Sequence, residues 1–371
     1  MLNSRSGYDA EHKITGKRMS DLIRPEIKGL SAYHVPNAGN MIKLDAMENP
    51  YRLPDDLISK WLQQISQAPL NRYPDPQAST LRDRLRSYMQ VPDGQAIILG
   101  NGSDELIQIM ALAVAQPGRV ILAPEPGFVM YKMIATFVGM DYIGVPLRED
   151  FSLDLPAMLA VIKQQQPALI FLAYPNNPTA NLFDEQAMLD IIRASKGLVI
   201  IDEAYHPFAG ESFMPRLGQF ENLLVMRTVS KMGLAGLRLG LLAGAPKWIN
   251  EFDKVRLPYN INVLTQISAV FALEHADVFE AQAAAIREQR SGLLRELGKL
   301  NSLQVYPSHA NFILLRLKSA DASNVFELLK QQGVLIKNMS SAGGVLKQCL
   351  RVTVGTPEEN QVFVRALKKS L

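Results

Sequence analysis

Residues 198–205 read Leu-Val-Ile-Ile-Asp-Glu-Ala-Tyr, in which a short apolar run, Leu198–Ile201, is followed by two carboxylates. A run that is continuously apolar, without alternation, predicts a strand buried on both faces, as in a parallel sheet covered by helices. Similar runs occur at Ala96–Leu99, Val120–Ala123, Tyr142–Val145, Ala168–Ala173, Leu223–Arg227 and Leu239–Ala243. Helical patterns lie between them at Asp104–Ala115, Phe128–Phe137, Leu155–Gln164 and Glu185–Ala194. This alternation predicts a doubly wound α/β domain.

The alternation of strand and helix patterns ends after Pro258. A long helical stretch is expected from Leu264 to Leu300, with local breaks at Gly292 and Gly298. Shorter elements follow: strands at Leu303–Tyr306, Asn311–Leu317, Val334–Lys337 and Leu350–Val354, and helices at Ala322–Gln331 and Pro357–Lys368. Asp321 stands where the first of these helices needs an N-cap. We therefore expect an N-terminal extension and arm (1–44), a large domain (45–262) and a smaller α+β domain (263–371).

The composition excludes several classes of protein. Of 371 residues, 47% are hydrophobic and 20% charged, and the net charge is only +3, which does not favour nucleic-acid binding. The single cysteine, Cys349, forms no intramolecular disulfide and points to a reducing, cytoplasmic compartment. No apolar run reaches the roughly 18 residues of a membrane helix. The five histidines show no metal-ligand spacing on a helix, so no metal site is predicted.

Polar residues follow the ends of several predicted strands. Ligands of open α/β sheets bind at the carboxyl ends of the strands, so these loops mark the candidate site. They are Gly100-Asn101-Gly102-Ser103-Asp104, Tyr174-Pro175-Asn176-Asn177-Pro178-Thr179, Asp202-Glu203-Ala204-Tyr205 and Thr228-Val229-Ser230-Lys231. Taken singly, Asp202 reads as a cap, Lys231 as a surface lysine and Asn177 as a turn residue. On successive strand ends they favour one pocket.

Two other classes fit the sequence less well. The run 198–203 resembles the Walker B strand of an ATPase, but no Gly-x4-Gly-Lys-Ser/Thr string is present to cradle a nucleotide. A transcription regulator would need an added helix-turn-helix domain, for which the N-terminal extension is too short.

The motifs together resemble the class I and II aminotransferase family of fold-type I pyridoxal-phosphate enzymes. The resemblance covers about Ile23 to Leu367, and within the family it is nearest to enzymes that act on histidinol phosphate. It implies a mostly parallel seven-stranded sheet in a large three-layer αβα domain, joined to a smaller α+β domain. The motifs that carry it are Asn176-Asn177-Pro178-Thr179, Asp202-Glu203-Ala204-Tyr205, Ser230-Lys231 with a downstream arginine, and Cys349-Leu350-Arg351-Val352-Thr353-Val354-Gly355.

The resemblance implies that five side chains contact the ring of the cofactor, pyridoxal 5'-phosphate. Lys231 would form a Schiff base with pyridoxal 5'-phosphate and then move the α-proton of the substrate. Asp202 would keep the pyridine nitrogen protonated, so that the ring accepts electrons. Asn177 and Tyr205 would hydrogen-bond its phenolic oxygen, and Phe128 would stack on the ring.

The cofactor phosphate needs donors and positive charge. The resemblance implies a cradle of helix-start backbone, hydroxyls and a guanidinium, formed by Ser103, Asp104, Thr228, Ser230 and Arg238. Tyr73 resembles a tyrosine that reaches the phosphate of the neighbouring subunit, which implies a homodimer with shared active sites. The spacing from Lys231 to Arg238 is one residue shorter than the commonest form, and Gly233 and Gly236 are expected to absorb the difference.

The substrate side is implied by five further residues. Arg351 matches the arginine that grips a substrate anion through its planar fork. Tyr33, Asn49 and Tyr259 match other substrate-side positions. Lys337 stands where related enzymes often carry a second phosphate-binding arginine, so the charge is kept and the fork is lost.

The activity implied is the interconversion of imidazole-acetol phosphate and L-glutamate with L-histidinol phosphate and 2-oxoglutarate. An aromatic aminotransferase and a threonine-phosphate decarboxylase remain open, because they would share Lys231, Asp202 and the phosphate cradle. The reaction depends on which bond to the α-carbon stands perpendicular to the ring, and the sequence does not show that.

Overall fold

The computed structural model describes residues 22–32 and 35–371. The chain divides into two units, Met1–Pro36 and Asn37–Leu371. In the described part of the first unit there is one short helix, α1 (Pro25–Lys28). All elements below belong to the second unit, so the expected boundary between residues 262 and 263 stays a prediction.

The second unit alternates strands and helices along most of its length. The strands are β1 (Ile42–Lys43), β2 (Ala96–Gly100), β3 (Val120–Glu125), β4 (Asp141–Pro146), β5 (Leu169–Ala173), β6 (Leu198–Asp202), β7 (Leu223–Thr228), β8 (Gly240–Gly244), β9 (Leu303–Val305), β10 (Phe312–Leu317), β11 (Val334–Leu335), β12 (Lys337–Asn338) and β13 (Cys349–Thr353). The helices are α2 (Asp55–Ser66), α3 (Ser79–Tyr88), α4 (Gly102–Val114), α5 (Met130–Val138), α6 (Leu155–Gln165), α7 (Glu185–Ala194), α8 (His206–Ala209), α9 (Pro246–Asp253), α10 (Val263–Glu274), α11 (Ala276–Gly298), α12 (Ala322–Gln331) and α13 (Pro357–Ser370).

The larger sheet has seven strands in the order β2-β8-β7-β6-β5-β3-β4. Only β8 runs antiparallel to its neighbours, and the other pairs are parallel. The predicted mostly parallel seven-stranded sheet is confirmed. The carboxyl ends of β2, β5, β6 and β7 therefore lie along the same edge, where the polar loops follow.

Both faces of this sheet are buried, which explains the continuously apolar strands. In β6, Val199 and Ile201 pack into one cluster with α3, α6 and α7, and Leu198 and Ile200 into another with α4, α5 and α9. Successive side chains of a strand point to opposite faces, so a central strand between two helical layers needs apolar residues at every position. The three-layer αβα arrangement is confirmed.

The smaller sheet has the order β12-β13-β10-β9 and is antiparallel. Helices α11, α12 and α13 contribute buried apolar side chains to its core. The strand expected at Val334–Lys337 is divided at Ile336: β11 pairs in parallel with β1, and β12 pairs with β13. The first half of the segment, β11, therefore pairs with residues 42–43, and the second half, β12, adds a strand to the smaller sheet.

The long helical stretch breaks at His275, which was not predicted, and ends at Gly298, one of the two glycines where a break is expected. His275 has φ −118° and ψ 37°, which ends α10, and α11 begins at Ala276. Gly292 lies inside α11, because one helical glycine costs only about 1 kcal/mol relative to alanine. The predicted cap at Asp321 is confirmed, since its side chain accepts a hydrogen bond from the Asn324 amide at 2.9 Å.

Candidate active site

A cavity of about 410 Å³ lies at the shared carboxyl edge of the larger sheet. Every predicted catalytic residue and every predicted cofactor-binding residue except Tyr73 lines it: Ser103, Asp104, Phe128, Asn177, Asp202, Tyr205, Thr228, Ser230, Lys231 and Arg238. These residues are spread over more than 130 positions of the chain, and strand order alone brings them to one edge.

Asp202 is the last residue of β6 and is 4% exposed. Its Oδ2 accepts a hydrogen bond from the Tyr131 hydroxyl at 2.7 Å, and its Oδ1 accepts one from the Ala204 amide at 3.1 Å. Burial raises the pKa of Asp202 to about 6, although both hydrogen bonds act to lower it. A buried carboxylate that is still ionised at neutral pH can hold a cation.

Lys231 follows β7 on a short helical turn, Ser230–Met232. Its Nζ donates to the Ala46 carbonyl at 3.4 Å and lies 5.7 Å from the centre of the Tyr205 ring. Burial, and then the positive charge of Arg351, lower the pKa of Lys231 to about 8. This amine is therefore neutral more often than a surface lysine, as a nucleophile or base requires.

A chain of hydrogen bonds crosses from the larger sheet to the smaller one. The Asn177 Nδ2 donates to the Tyr205 hydroxyl at 3.1 Å, and the Asn177 Oδ1 accepts from Arg351 Nη1 at 2.6 Å. Arg351, on β13, also donates from Nη2 to the Asp45 carbonyl at 2.9 Å. All three side chains are buried, so the protein itself orders them. Asn177 and Tyr205 line the cavity, and Arg351 lies behind Asn177, outside the lining.

The far end of the cavity is built from the start of α4 and the loop before β8. Gly102 has φ +81°, and a Cβ there would lie 2.7 Å from Arg238 Nη2. A Cβ on Gly240 would lie 2.9 Å from the Ser103 nitrogen. Only glycines allow this approach of guanidinium and helix start. Arg238 itself adopts φ 49°, and of the two glycines expected to absorb the shorter loop, only Gly233 has a positive φ.

These groups fit pyridoxal phosphate. A helix N-terminus, paired hydroxyls of Thr228 and Ser230 2.9 Å apart, and a guanidinium suit a phosphate monoester. A buried carboxylate suits a protonated ring nitrogen, and a desolvated lysine amine suits an aldehyde.

Four other predicted residues that the structure describes, Tyr73, Asn49, Tyr259 and Lys337, do not line the cavity. Tyr73 is 80% exposed and stacks on Tyr259, with ring centres 4.5 Å apart. Asn49 donates to the Met232 carbonyl at 2.8 Å, behind the Lys231 turn. Lys337 lies opposite Arg351 in the smaller sheet, and Tyr33 lies outside the described residues. Their substrate roles stay predictions.

Sequence reasoning missed two features of the site. Tyr131, which bonds Asp202, reads as a core aromatic in an apolar helix, and three positions separate it from Phe128. The segment Ala46–Glu48 also lines the cavity, although nothing local marks it as functional. Its carboxylate at Glu48 pairs with Lys43 at 2.6 Å.

Within residues 22–32 and 35–371, no helix is long and apolar enough to cross a membrane. The same part of the chain shows no group of three or more His, Cys, Asp or Glu side chains suited to hold a metal ion.

The fold and site together define an enzyme centre that pairs a desolvated lysine amine with a buried carboxylate and a phosphate cradle. The sequence model for "Aminotransferase class I and II" matches residues 39–367. The chain belongs to this aminotransferase family, and the expected family and fold class are confirmed.

Similar proteins agree with this assignment. The chain is 59% identical over 355 residues to histidinol-phosphate aminotransferase 2 of Nitrosococcus oceani, covering 96% of this chain and 99% of that protein. It is 53% identical to histidinol-phosphate aminotransferase 2 of Cupriavidus pinatubonensis, covering 94% and 96%. The fold matches the crystal structure of histidinol-phosphate aminotransferase from Sinorhizobium meliloti in complex with pyridoxal-5'-phosphate, with TM-score 0.84, 23% identity and coverage of 94% and 97%.

Proposed function

We propose that this chain is a pyridoxal-phosphate transaminase that interconverts imidazole-acetol phosphate and L-glutamate with L-histidinol phosphate and 2-oxoglutarate. The observation that carries the mechanism is the single cavity shared by Lys231, Asp202 and the phosphate cradle. The identity of 59% over almost the full length to an enzyme named for histidinol phosphate supports the substrate.

The bound cofactor would supply an aldehyde for amino groups and a ring that accepts electrons from the α-carbon. Lys231 would hold the cofactor and then carry the proton on and off that carbon. Its lowered pKa, about 8, favours this exchange, because an amine that stays protonated cannot act as a base. The oxygen of Ala46 at 3.4 Å orients Nζ.

Asp202 and the Asn177–Tyr205 pair would orient the ring from two sides. Asp202, ionised above its pKa of about 6, would hold the ring nitrogen. The Asn177 amide and the Tyr205 hydroxyl, already 3.1 Å apart, would bond the phenolic oxygen. Because the protein fixes these groups, little reorganisation is needed when the ring binds.

The anionic ends of the two substrates would meet arginine. Arg351 is buried, and its Nη atoms already contact the Asn177 Oδ1 and the Asp45 carbonyl, which fixes the plane of the guanidinium. A planar guanidinium suits the carboxylate of glutamate and the phosphate of histidinol phosphate.

The test is a comparison of kcat/KM for L-histidinol phosphate and L-phenylalanine with 2-oxoglutarate as acceptor. We expect a preference of at least about a hundredfold for histidinol phosphate, because a site built for a polar ligand leaves groups unpaired with an apolar one. A preference for phenylalanine would assign an aromatic aminotransferase. Release of carbon dioxide from L-threonine phosphate would assign a decarboxylase.

We also propose a cytoplasmic homodimer in which Tyr73 completes the phosphate site of the second subunit. Four large side chains of this region are exposed: Leu70 (72%), Tyr73 (80%), Leu257 (72%) and Tyr259 (40%). Exposed apolar and aromatic surface of this kind is typical of an interface. Light scattering should give twice the chain mass, and Tyr73→Phe should weaken cofactor binding without dissociating the dimer. A monomer that binds the cofactor normally would contradict the shared site.

A further inference from the structure

Tyr131 carries a buried hydroxyl group to which the proposed mechanism assigns no role. It lies on α5, is 1% exposed, and donates its proton to Asp202 Oδ2 at 2.7 Å. Asp202 Oδ1 accepts from the Ala204 amide at 3.1 Å. Each carboxylate oxygen is therefore held by one donor of the protein, which fixes the plane of the carboxylate.

The Tyr131 ring is itself held on two sides. It stacks on Phe171 of β5, with centres 4.6 Å apart and planes 11° apart. The ring of Phe128 meets it edge-on, with centres 5.5 Å apart. Phe128 lines the cavity, so Tyr131 connects the side chain predicted to cover the cofactor ring with the carboxylate predicted to hold the ring nitrogen.

The charges around Asp202 make this donor important. Burial, Asp104 and Glu203 all raise the pKa of Asp202, whereas the Tyr131 hydroxyl and the Ala204 amide lower it. Burial and the Asp202 carboxylate raise the pKa of Tyr131 well above its ordinary value, so the hydroxyl keeps its proton and remains a donor. Removing the hydroxyl leaves a buried carboxylate with one fewer donor, which disfavours the ionised form.

We propose that Tyr131 is a positioning residue that holds the Asp202 carboxylate in the orientation needed to bind a protonated ring nitrogen. The inference rests on the proposed function, because it assumes that Asp202 meets the cofactor ring. It predicts an effect that depends on the ring nitrogen and not on the rest of the cofactor.

The test uses the variant Tyr131→Phe, which keeps the stacked ring and removes the hydroxyl. Apoprotein is titrated with pyridoxal phosphate and, separately, with the analogue in which a C–H group replaces the ring nitrogen. We expect the wild-type protein to prefer pyridoxal phosphate. The variant should bind pyridoxal phosphate about tenfold more weakly, as for a lost hydrogen bond to a charged group, and should bind the analogue as the wild type does.

Phe171→Leu is the matched packing control, because it loosens the Tyr131 ring and keeps the hydroxyl. It should lower the thermal midpoint of the apoprotein and retain the wild-type preference for pyridoxal phosphate. Equal weakening of both ligands by Tyr131→Phe, or no weakening of either, overturns the positioning role. If the wild type does not prefer pyridoxal phosphate to the analogue, the role of Asp202 in the proposed function fails, and the inference fails with it.

Discussion

The floor and the rim of the cavity differ in how far the protein itself completes them. On the floor, the lining residues Asp202 and Asn177 are each less than a tenth exposed and bond to other protein groups. Arg351, equally buried, supports Asn177 from outside the lining. On the rim, the side chains of Arg238 and Asp104 are 52% and 41% exposed, and their nitrogen and oxygen atoms lie 3.4 Å apart. The protein itself preorganises the floor, whereas solvent reaches the charged side chains of the rim.

The difference follows from chemistry. Groups that act on the reacting carbon must be held in place and kept from water, because their pKa values depend on desolvation. At the phosphate cradle, solvent reaches the guanidinium of Arg238, although Thr228 and Ser230 of the same cradle are buried. Substitutions on the floor should therefore have large effects, and substitutions on the rim should have small ones.

The largest effect is expected for Lys231→Ala. Loss of the amine removes both the attachment of the cofactor and the base, so kcat should fall by at least about a thousandfold. Steady-state transamination measures this, with Lys196→Ala as an exposed lysine control. Turnover near the wild-type rate in Lys231→Ala would falsify the assignment of the catalytic base.

The second-largest effect is expected for the buried ion pair of Glu203 and Arg227, next to Asp202. Glu203, fully buried beside Asp202, accepts from Arg227 Nε at 2.9 Å and from the Phe213 amide at 2.5 Å. Glu203→Ala leaves a buried cation unpaired and should lower the free energy of unfolding by about 3–5 kcal/mol.

The matched surface change is Glu185→Ala, which removes the partner of Arg216 and should cost about 0–1 kcal/mol. Urea unfolding of both apoproteins measures the contrast. Equal losses in the two variants would show that the region behind the floor is no more tightly constrained than the surface.

A smaller effect concerns pH. The pKa of Asp202 is raised from 3.8 unfolded to about 6 folded, so the folded state binds more protons between these values. Stability from this group is therefore present at low pH and is lost as pH rises through about 6. The unfolding free energy of wild-type apoprotein minus that of Asp202→Asn should fall by about 2–3 kcal/mol between pH 4 and 7. A difference that is flat with pH would mean that Asp202 is not desolvated.

The smallest effect is expected on the rim, for Arg238→Lys. Lysine keeps the positive charge but cannot donate the two parallel hydrogen bonds of a guanidinium. Because the position is half exposed, cofactor affinity should fall only about threefold to tenfold. Titration of apoprotein with pyridoxal phosphate measures it, with the exposed Arg193→Lys as control. A loss above a hundredfold would show that the rim is as constrained as the floor.

The sequence predicted most of the larger sheet because buried parallel strands carry their own signal. The predicted run Leu198–Ile201 differs from β6 by one residue, and the helix at Glu185–Ala194 has the predicted bounds. Prediction failed where tertiary contacts decide: Ile336 divides a strand because its two halves pair with different partners. The helical stretch also breaks at His275, which was not predicted, and continues through Gly292, which was.

The site could be predicted where residues follow strand ends, as Asp202 and Lys231 do. Tyr131 could not, because its role depends on a hydrogen bond across 71 positions of the chain. Ala46, whose carbonyl contacts Lys231, follows β1, and the pairing of β1 with β11 was not predicted. Tyr73 and Tyr259 stack on each other on the surface. The predicted role of Tyr73 depends on a second subunit, and the predicted substrate-side role of Tyr259 stays a prediction.

The most direct test of the account is to locate the cofactor on the chain. Protein loaded with pyridoxal phosphate is reduced with borohydride, which fixes the cofactor to the lysine that holds it, and the peptides are mapped by mass spectrometry. We expect one modified residue, Lys231, and loss of that modification when L-histidinol phosphate is added before reduction. Modification of Lys43 or Lys337 in its place, or a Lys231 label that histidinol phosphate does not diminish, would contradict it.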